Sequence, residues 1–457
     1  MNLAEQLARY TCTLDADALP PEVVQCVKDR VVDSLACALG AYGASPVEAA
    51  LRVAQEVPAS EASILGTTSR TTSDLAAFVN GSLIRFLDYN DGYMAKEPGH
   101  PSDNITACLA VAEAEGASGR DLIAAIVVAY EIQMRWQEAV GLNRRGWDHV
   151  NFVLISVAAA ASRLMNLSEA QTAQAINLAL NGHIAMRQVR SGELSDWKGC
   201  SAANAARNAV FAARLARAGM TGPSPIFEGD MGFFRQVTGG EVRVEVDGFA
   251  RQPGDDFRIL ASKIKPFPTN GELQTAVAAA IQLRPRVRSL EQIVAIEVDT
   301  TDIAHRITAS DEEKWNPTTR ETADHSLPYN VARGLLDGEL TLASFDDEHI
   351  GDPRARALMS CTTVREDPAL TALFPEHLAN RVTLTLDDGT TLTQEVISPE
   401  SNAPLRALVT SVEAKFTQMA DGRLTPEAQS QVLSFVAGLE ERSDFAPLFS
   451  AMVPGQC

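Results

Sequence analysis

The densest run of groups able to move protons is Asp88-Tyr-Asn-Asp91-Gly-Tyr-Met-Ala-Lys96-Glu97-Pro-Gly-His100-Pro-Ser102-Asp103-Asn104, with four carboxylates, one lysine and one histidine. Imidazole titrates near neutral pH, and nearby carboxylates can orient its ring and raise its pKa, which is what general acid–base catalysis needs. Pro98, Gly99 and Pro101 bar a continuous helix. The segment therefore reads as an irregular polar loop between two apolar helices, a common place for function. Residue types alone leave two other readings open. One is a solvated, charge-rich loop. The other is a metal site, although His and Asp follow no established ligand spacing here.

Two more clusters could meet an anion. Arg187-Gln-Val-Arg190-Ser-Gly-Glu-Leu-Ser195-Asp-Trp197-Lys198 places Lys198 at the start of an expected helix over 199–219. An ammonium beside helix N-terminal amides makes a carboxylate pocket, though an exposed lysine would look the same. Lys314-Trp-Asn-Pro317-Thr-Thr-Arg320-Glu321-Thr-Ala-Asp324-His325-Ser326-Leu-Pro328-Tyr329 combines two cations, an Asp-His pair and a tyrosine before an apolar helix. A capping loop on Asp324 or Ser326 is the alternative. His149 follows Gly146-Trp147-Asp148, His183 marks a helix end, and His305, His349 and His377 carry no pattern. There is no Gly-x-Gly-x-x-Gly opening a helix, no Walker-type loop and no Gly-x-Ser-x-Gly elbow. Dehydrogenase, kinase and serine-hydrolase readings lose their usual support.

The elements that must position these groups are mostly helical. Pro21 opens a helix in which Val23, Val27, Val31 and Leu35 recur at helical spacing. Helices are also predicted from Ser73 and over Asp121–Arg135, Leu154–Met165 and Ser168–Asn181, the last with a Ser168/Gln171 capping box. Their alanine content suits closely packed helices. Alternating stretches follow at Glu241–Val246, Gln292–Val298, Arg381–Leu386 and Thr391–Val396, with Asp387-Asp388-Gly389 as a hairpin turn between the last two. Helix returns over Leu405–Met419 and Pro426–Glu441. The expected architecture is mostly α: a large, discontinuous all-helical domain over 1–261 and 399–457, interrupted by a smaller α+β lid domain over 262–398.

With 457 residues, 46% of them hydrophobic, the chain can bury a large core. A net charge of −20 makes nucleic acid and anionic membranes poor partners. It does not argue against a small polyanion, because a pocket needs only a few local cations. No stretch approaches the roughly 18 apolar residues of a membrane span. The N-terminus, with Glu5 and no basic stretch before an apolar one, reads as a helix start and not a signal peptide. Seven cysteines without a Cys-x-x-Cys pair suit a reducing cytoplasm and give no structural zinc.

These clusters carry a resemblance. Asn80-Gly-Ser-Leu with Leu87-Asp-Tyr-Asn-Asp91 and Lys96-Glu-Pro-Gly-His-Pro-Ser-Asp-Asn104, then Asp196-Trp-Lys-Gly with Ala203-Asn-Ala-Ala-Arg207, then Arg320-Glu-Thr-Ala-Asp-His-Ser-Leu-Pro-Tyr329, resemble three ordered signatures of the MmgE/PrpD family in its 2-methylcitrate dehydratase form. Gly146-Trp-Asp-His149 is a weaker fourth, and the likeness spans nearly the whole chain. It implies a helical domain with an α+β lid, a homodimer, no metal or other cofactor, and a cytoplasmic lyase of propionate catabolism that dehydrates 2-methylcitrate or a similar tricarboxylate. The family also contains cis-aconitate decarboxylase and iminodisuccinate epimerase. Those reactions, and a catalytically weakened polycarboxylate-binding member, are the alternatives.

By motif, Asp88, Asp91, His100, His149 and Lys198 fall at the family's active-site positions. The resemblance implies that His100 is the general acid/base, that Asp88 and Asp91 orient it or relay protons, and that Lys198 clamps a carboxylate. His149 and His325 would protonate the departing hydroxyl. Arg187, Arg190, Lys265, His325 and Tyr329 are expected on the substrate. Two positions depart from the family pattern. Gly92 stands where many members have Thr, and Lys265–Gln274 lacks a histidine common there, with Glu272 near its place. Two hydrogen-bonding groups are lost, and a charged glutamate would repel a tricarboxylate.

Overall fold

The computed structural model describes residues 1–398 and 411–455. Helices form where the apolar spacing predicts them. Ser118 and Asp121 close a capping box on Gly119–Ala139, and Ser168 with Gln171 closes one on Glu169–Gly182. Helix Asn151–Leu164 is buried at every position except Arg163, as befits a central helix that is apolar all round. Small residues bring neighbours close: a Cβ on Gly81, in helix Ser73–Phe86, would lie 2.8 Å from Ala203 Cβ in helix Trp197–Arg217. Trp136 packs against Phe152, Phe227, Phe233 and Phe234. Side chains of this size contribute about 1.5–3 kcal/mol each on burial.

Two local expectations are corrected. The first part is not wholly helical, because Pro58–Ser63 pairs antiparallel with Arg70–Thr71. The alternating stretch Glu241–Val246 forms no strand. Val242 and Val244 instead rest partly buried on the helical core, with Val246 inside it.

The smaller domain is built on a four-stranded sheet ordered Thr362–Glu366, Ile293–Thr300, Leu378–Leu386, Thr391–Ser398. The first pair is parallel and the others antiparallel. The predicted hairpin turn closes with Gly389 at φ +82°, a conformation glycine adopts without strain. Helices Gln274–Leu283 and Leu327–Asp337 share this domain's core with the sheet.

The C-terminal helices join the other core. Residues Val412 to Met452 pack in one cluster with the N-terminal helices, while Phe267 to Val396 form a separate one. Lys415 Nζ lies 2.6 Å from Asp33 Oδ1 and donates to the Tyr89 carbonyl at 2.7 Å. On this packing we propose the division 1–261, 262–398 and 399–457. The predicted helix Leu405–Met419 is described only from Ser411, as Val412–Ala420; residues 399–410 and 456–457 lie outside the described residues. Among the described residues no helix is long and apolar enough to cross a membrane.

Candidate active site

The three sequence clusters meet where the two cores face each other, and Asp88 is the hub. Helix Ser73–Phe86 ends just before it, and Asp88 takes φ +50°, a left-handed conformation that Asp tolerates better than most residues. Its fully buried carboxylate meets Lys265 Nζ at 2.5 Å and Arg85 at 3.1 Å on Oδ1, and Lys198 Nζ at 3.3 Å on Oδ2. His100 Nε2 lies 3.7 Å from Oδ1 and His325 Nε2 3.6 Å from Oδ2. Burial by itself would raise the Asp88 pKa, but Arg85, Lys265, Lys198 and His325 together hold it well below the usual carboxylate range.

His100 has a defined tautomer. Its Nδ1 lies 2.7 Å from the Asp91 carbonyl, which only accepts, so Nδ1 carries the proton and Nε2 offers the lone pair. Burial, then Arg85 and Lys265, pushes its pKa well below the normal histidine value, so the ring is a neutral base. Asp91 thus orients His100 through its main chain and not its carboxylate. The carboxylate accepts instead from the Ser102 amide at 2.9 Å and the Tyr130 hydroxyl at 3.0 Å, with Arg30 Nε at 3.6 Å.

His149 and His325 each form a dyad with the preceding aspartate. His149 Nδ1 is 3.0 Å from Asp148 Oδ1, whose other oxygen is 2.9 Å from Arg190. His325 Nδ1 is 2.6 Å from Asp324 Oδ1. The His100 and His149 ring centres are 5.7 Å apart. Burial drives His149 down to about 4 and His325 to about 3, so both rings are neutral near pH 7. Neutral rings whose Nδ1 protons go to aspartates present lone pairs at Nε2, not protons. The donor role expected of them therefore has no proton to give.

Lys198 stands in the first turn of helix Trp197–Arg217 as predicted, yet is fully buried. Its ammonium lies 2.6 Å from Asp324 and 3.2 Å from Glu321 besides Asp88, so its carboxylate partners are the protein's own. Burial raises Glu321 to about 7. Asp88, Asp324 and His325 are the set among the described residues whose ligand atoms approach within 4.8 Å of one another, as around a cation. Lys198 and Lys265 already neutralise those carboxylates, so the set does not fit a metal ion.

Arg190 supports His149 through Asp148. Arg187 is half-buried, facing Asp148, Glu97 and Glu272. Tyr329 is not brought to the cluster: its hydroxyl donates to the Ser344 carbonyl at 2.5 Å and its ring packs near Phe345 in the smaller core. The sequence does not mark out Arg85, Arg30 or Tyr130, because each lies inside a long helix where a polar residue reads as incidental. The i, i+3 spacing of Arg85 and Asp88 was the available signal for the first. Glu97 ties the loop down, accepting from the Leu142 amide at 2.6 Å and the Asn143 amide at 2.9 Å.

A cavity of about 960 Å³ opens between the domains, lined by Gly92, Tyr93 and Lys96 on one side and Lys265, Gln274 and Pro375 on the other. It touches the cluster at Lys265. A Cβ on Gly92 would have its nearest neighbour 3.8 Å away, so the missing side chain leaves room there.

The MmgE/PrpD N-terminal domain is matched over residues 5–245 and the C-terminal domain over 267–441. The chain belongs to the MmgE/PrpD family. Among its relatives is the 2-methylcitrate dehydratase of Cupriavidus necator, 31% identical over 89% of this chain and 88% of the relative. The mitochondrial 2-methylcitrate dehydratase of Yarrowia lipolytica is 32% identical over 80% and 73%. That of Escherichia coli K12 is 31% identical over 73% and 71%. The two matched domains meet at this cluster: Asp88, His100, His149 and Lys198 come from the first, and Glu272, Asp324 and His325 from the second.

Proposed function

We propose that this MmgE/PrpD enzyme dehydrates 2-methylcitrate or a similar hydroxy-tricarboxylate with its own side chains, His100 taking the proton from the carbon next to a carboxylate. That the chain is a hydro-lyase follows from its family and its dehydratase relatives. The observation that carries the reading is His100 itself: a buried, neutral imidazole with Nδ1 pinned on a carbonyl and Nε2 beside the Asp88 hub.

The electrostatics suit a polyanion. Arg85, Lys198 and Lys265 face Asp88 and Asp324, while burial raises the other close carboxyls, Asp103 and Glu321, to about 7 each. The cluster is therefore close to charge balance near pH 7, with its fixed cations held inside an acidic chain. As His100 Nε2 takes the carbon-bound proton, negative charge develops on the adjoining carboxylate, and fixed cations stabilise it without reorganising. The carbon–oxygen bond then breaks, a double bond forms, and the leaving hydroxide needs a proton. Lys265 is the donor we assign, since it lines the cavity and burial lowers its ammonium pKa. We place the reaction in the cytoplasm and in a homodimer.

Purified protein given 2-methylcitrate should form an absorbing unsaturated acid lighter by one water. His100→Ala should lower turnover by about 10²–10⁴-fold. No turnover across a panel of citrate-like acids overturns the assignment. Loss of carbon dioxide, or an unchanged mass with inverted configuration, would move the reaction to the family's decarboxylase or epimerase type.

A further inference from the structure

Two glycines line the cavity where it meets the cluster, Gly92 from the loop that carries His100 and Gly271 from the smaller domain. Neither takes a positive φ, so the backbone does not require glycine at either place. What they leave is space. A Cβ on Gly271 would collide with the Met94 methyl, so that thioether fills the room a side chain there would take. The room over Gly92 stays open: a Cβ there would have Lys265 Cε at 3.8 Å, and the Gly99 carbonyl oxygen and Met94 Cε at 3.9 Å. The surround is fixed by main-chain bonds. Gly92 and Lys263 exchange two at 2.8 Å, and Tyr93 and Gly99 exchange two at 2.8 and 3.1 Å. The opening therefore lies between Lys265, whose ammonium reaches the Asp88 hub, and Gly99, the residue before His100.

Beyond this opening the cavity presents apolar surface. Leu260 is 43% exposed, while Met94, Ile264, Pro266 and Pro375 are half-buried. Its charged groups other than Lys265 are engaged or exposed: Arg30 donates to Ser262, Glu138 accepts from the Tyr93 hydroxyl, and Lys96, Lys263 and Glu376 are exposed. A volume of about 960 Å³ is at the upper end of what holds a drug-sized ligand, and a citrate with a methyl branch is much smaller.

We propose that the substrate is a 2-alkylcitrate whose alkyl branch is longer than methyl, with its carboxylates at the Lys265 end and its chain running over Gly92 and along Met94 into the cavity. The inference rests on the dehydratase reading above and narrows its substrate class. In a 2-alkylcitrate the branch sits on the carbon beside a carboxylate, the one whose proton His100 takes. The chain therefore starts where Gly99 and Lys265 flank the opening. Each methylene buried there strengthens binding by about fourfold. A branched side chain on Gly92 would stand in its path.

2-Methylcitrate and 2-butylcitrate, compared by calorimetric titration and by turnover, are the probes. Wild-type protein should bind 2-butylcitrate at least about tenfold more tightly, with kcat/KM higher by a similar factor. Gly92→Val, which fills the opening, should erase that advantage. Met94→Gln, close in length but polar, should cut it by about fourfold or more. Each result is read as the ratio between the two acids, which does not depend on how much of a variant is folded. Equal or weaker binding of 2-butylcitrate by the wild type, or an unchanged ratio in either variant, overturns the proposal, and dehydration of 2-methylcitrate then leaves the reaction standing. The expected binding ratios without dehydration of either acid overturn the reaction and leave the chain pocket standing. No binding of either acid overturns both.

Discussion

Asp88→Asn tests the hub directly. The substitution keeps the size of the side chain and an oxygen for Lys265, and removes one charge. Lys198 retains Asp324 at 2.6 Å and Glu321 at 3.2 Å, so it loses least. Arg85 keeps only Asp103, at 3.9 Å, and Lys265 keeps no carboxylate ion pair. Removing one partner of a buried pair costs about 3–5 kcal/mol, because the other charge is left desolvated and uncompensated. The loss should be largest near neutral pH. Without Asp88, the folded-state pKa of Lys265, already below its ordinary 10.5, falls further. The unfolded chain then binds more protons than the folded one between that value and 10.5, so the variant gains stability as pH rises through the window. Urea unfolding of wild type and variant at pH 7 and pH 9 should show a gap of about 3–5 kcal/mol that narrows at the higher pH. Turnover of 2-methylcitrate should fall with it. A variant within about 0.5 kcal/mol of wild type at pH 7, or a gap that widens with pH, would refute the hub as the charge balance of the site.

Two further substitutions have defined outcomes. Lys314 is fully buried with no hydrogen-bond partner on Nζ, and its pKa is lowered to about 8 from 10.5, chiefly by burial; Lys314→Met should therefore stabilise the fold by up to about 3 kcal/mol at pH 7. Wild type should itself gain stability between pH 8 and 10.5, where the unfolded chain binds the extra proton, and urea midpoints without that rise would contradict the assignment. A Cβ on Gly99 would lie 2.6 Å from Gln137 Nε2 and 3.1 Å from His149 Cδ2. Gly99→Ala should displace His149 and lower kcat by about 10–100-fold at a stability cost of about 1–3 kcal/mol; an unchanged kcat would show that His149 need not be held in place.

What the sequence by itself determined is local. Apolar spacing and capping residues located the helices Gly119–Ala139, Asn151–Leu164 and Glu169–Gly182, because helix periodicity and caps act within a few residues. The hairpin Leu378–Ser398 was legible in its alternation and its Gly389 turn for the same reason. Ordered motifs also pointed to His100, Lys198 and the Asp-His pairs. Tertiary structure decided everything that depends on a partner distant in the chain. Glu241–Val246 alternates like a strand yet pairs with none. Lys198, readable as an exposed lysine, is buried against Asp324, 126 residues away. His149 and His325, readable as proton donors, become neutral bases because burial disfavours the imidazolium. Tyr329, a neighbour of His325 in sequence, turns into the core of its own smaller domain because a helical side chain faces whatever its own turn faces. A carboxylate's charge depends on which cations the fold brings within a few ångströms, so Asp88 became the centre of the site only when helix, loop and smaller domain met around it.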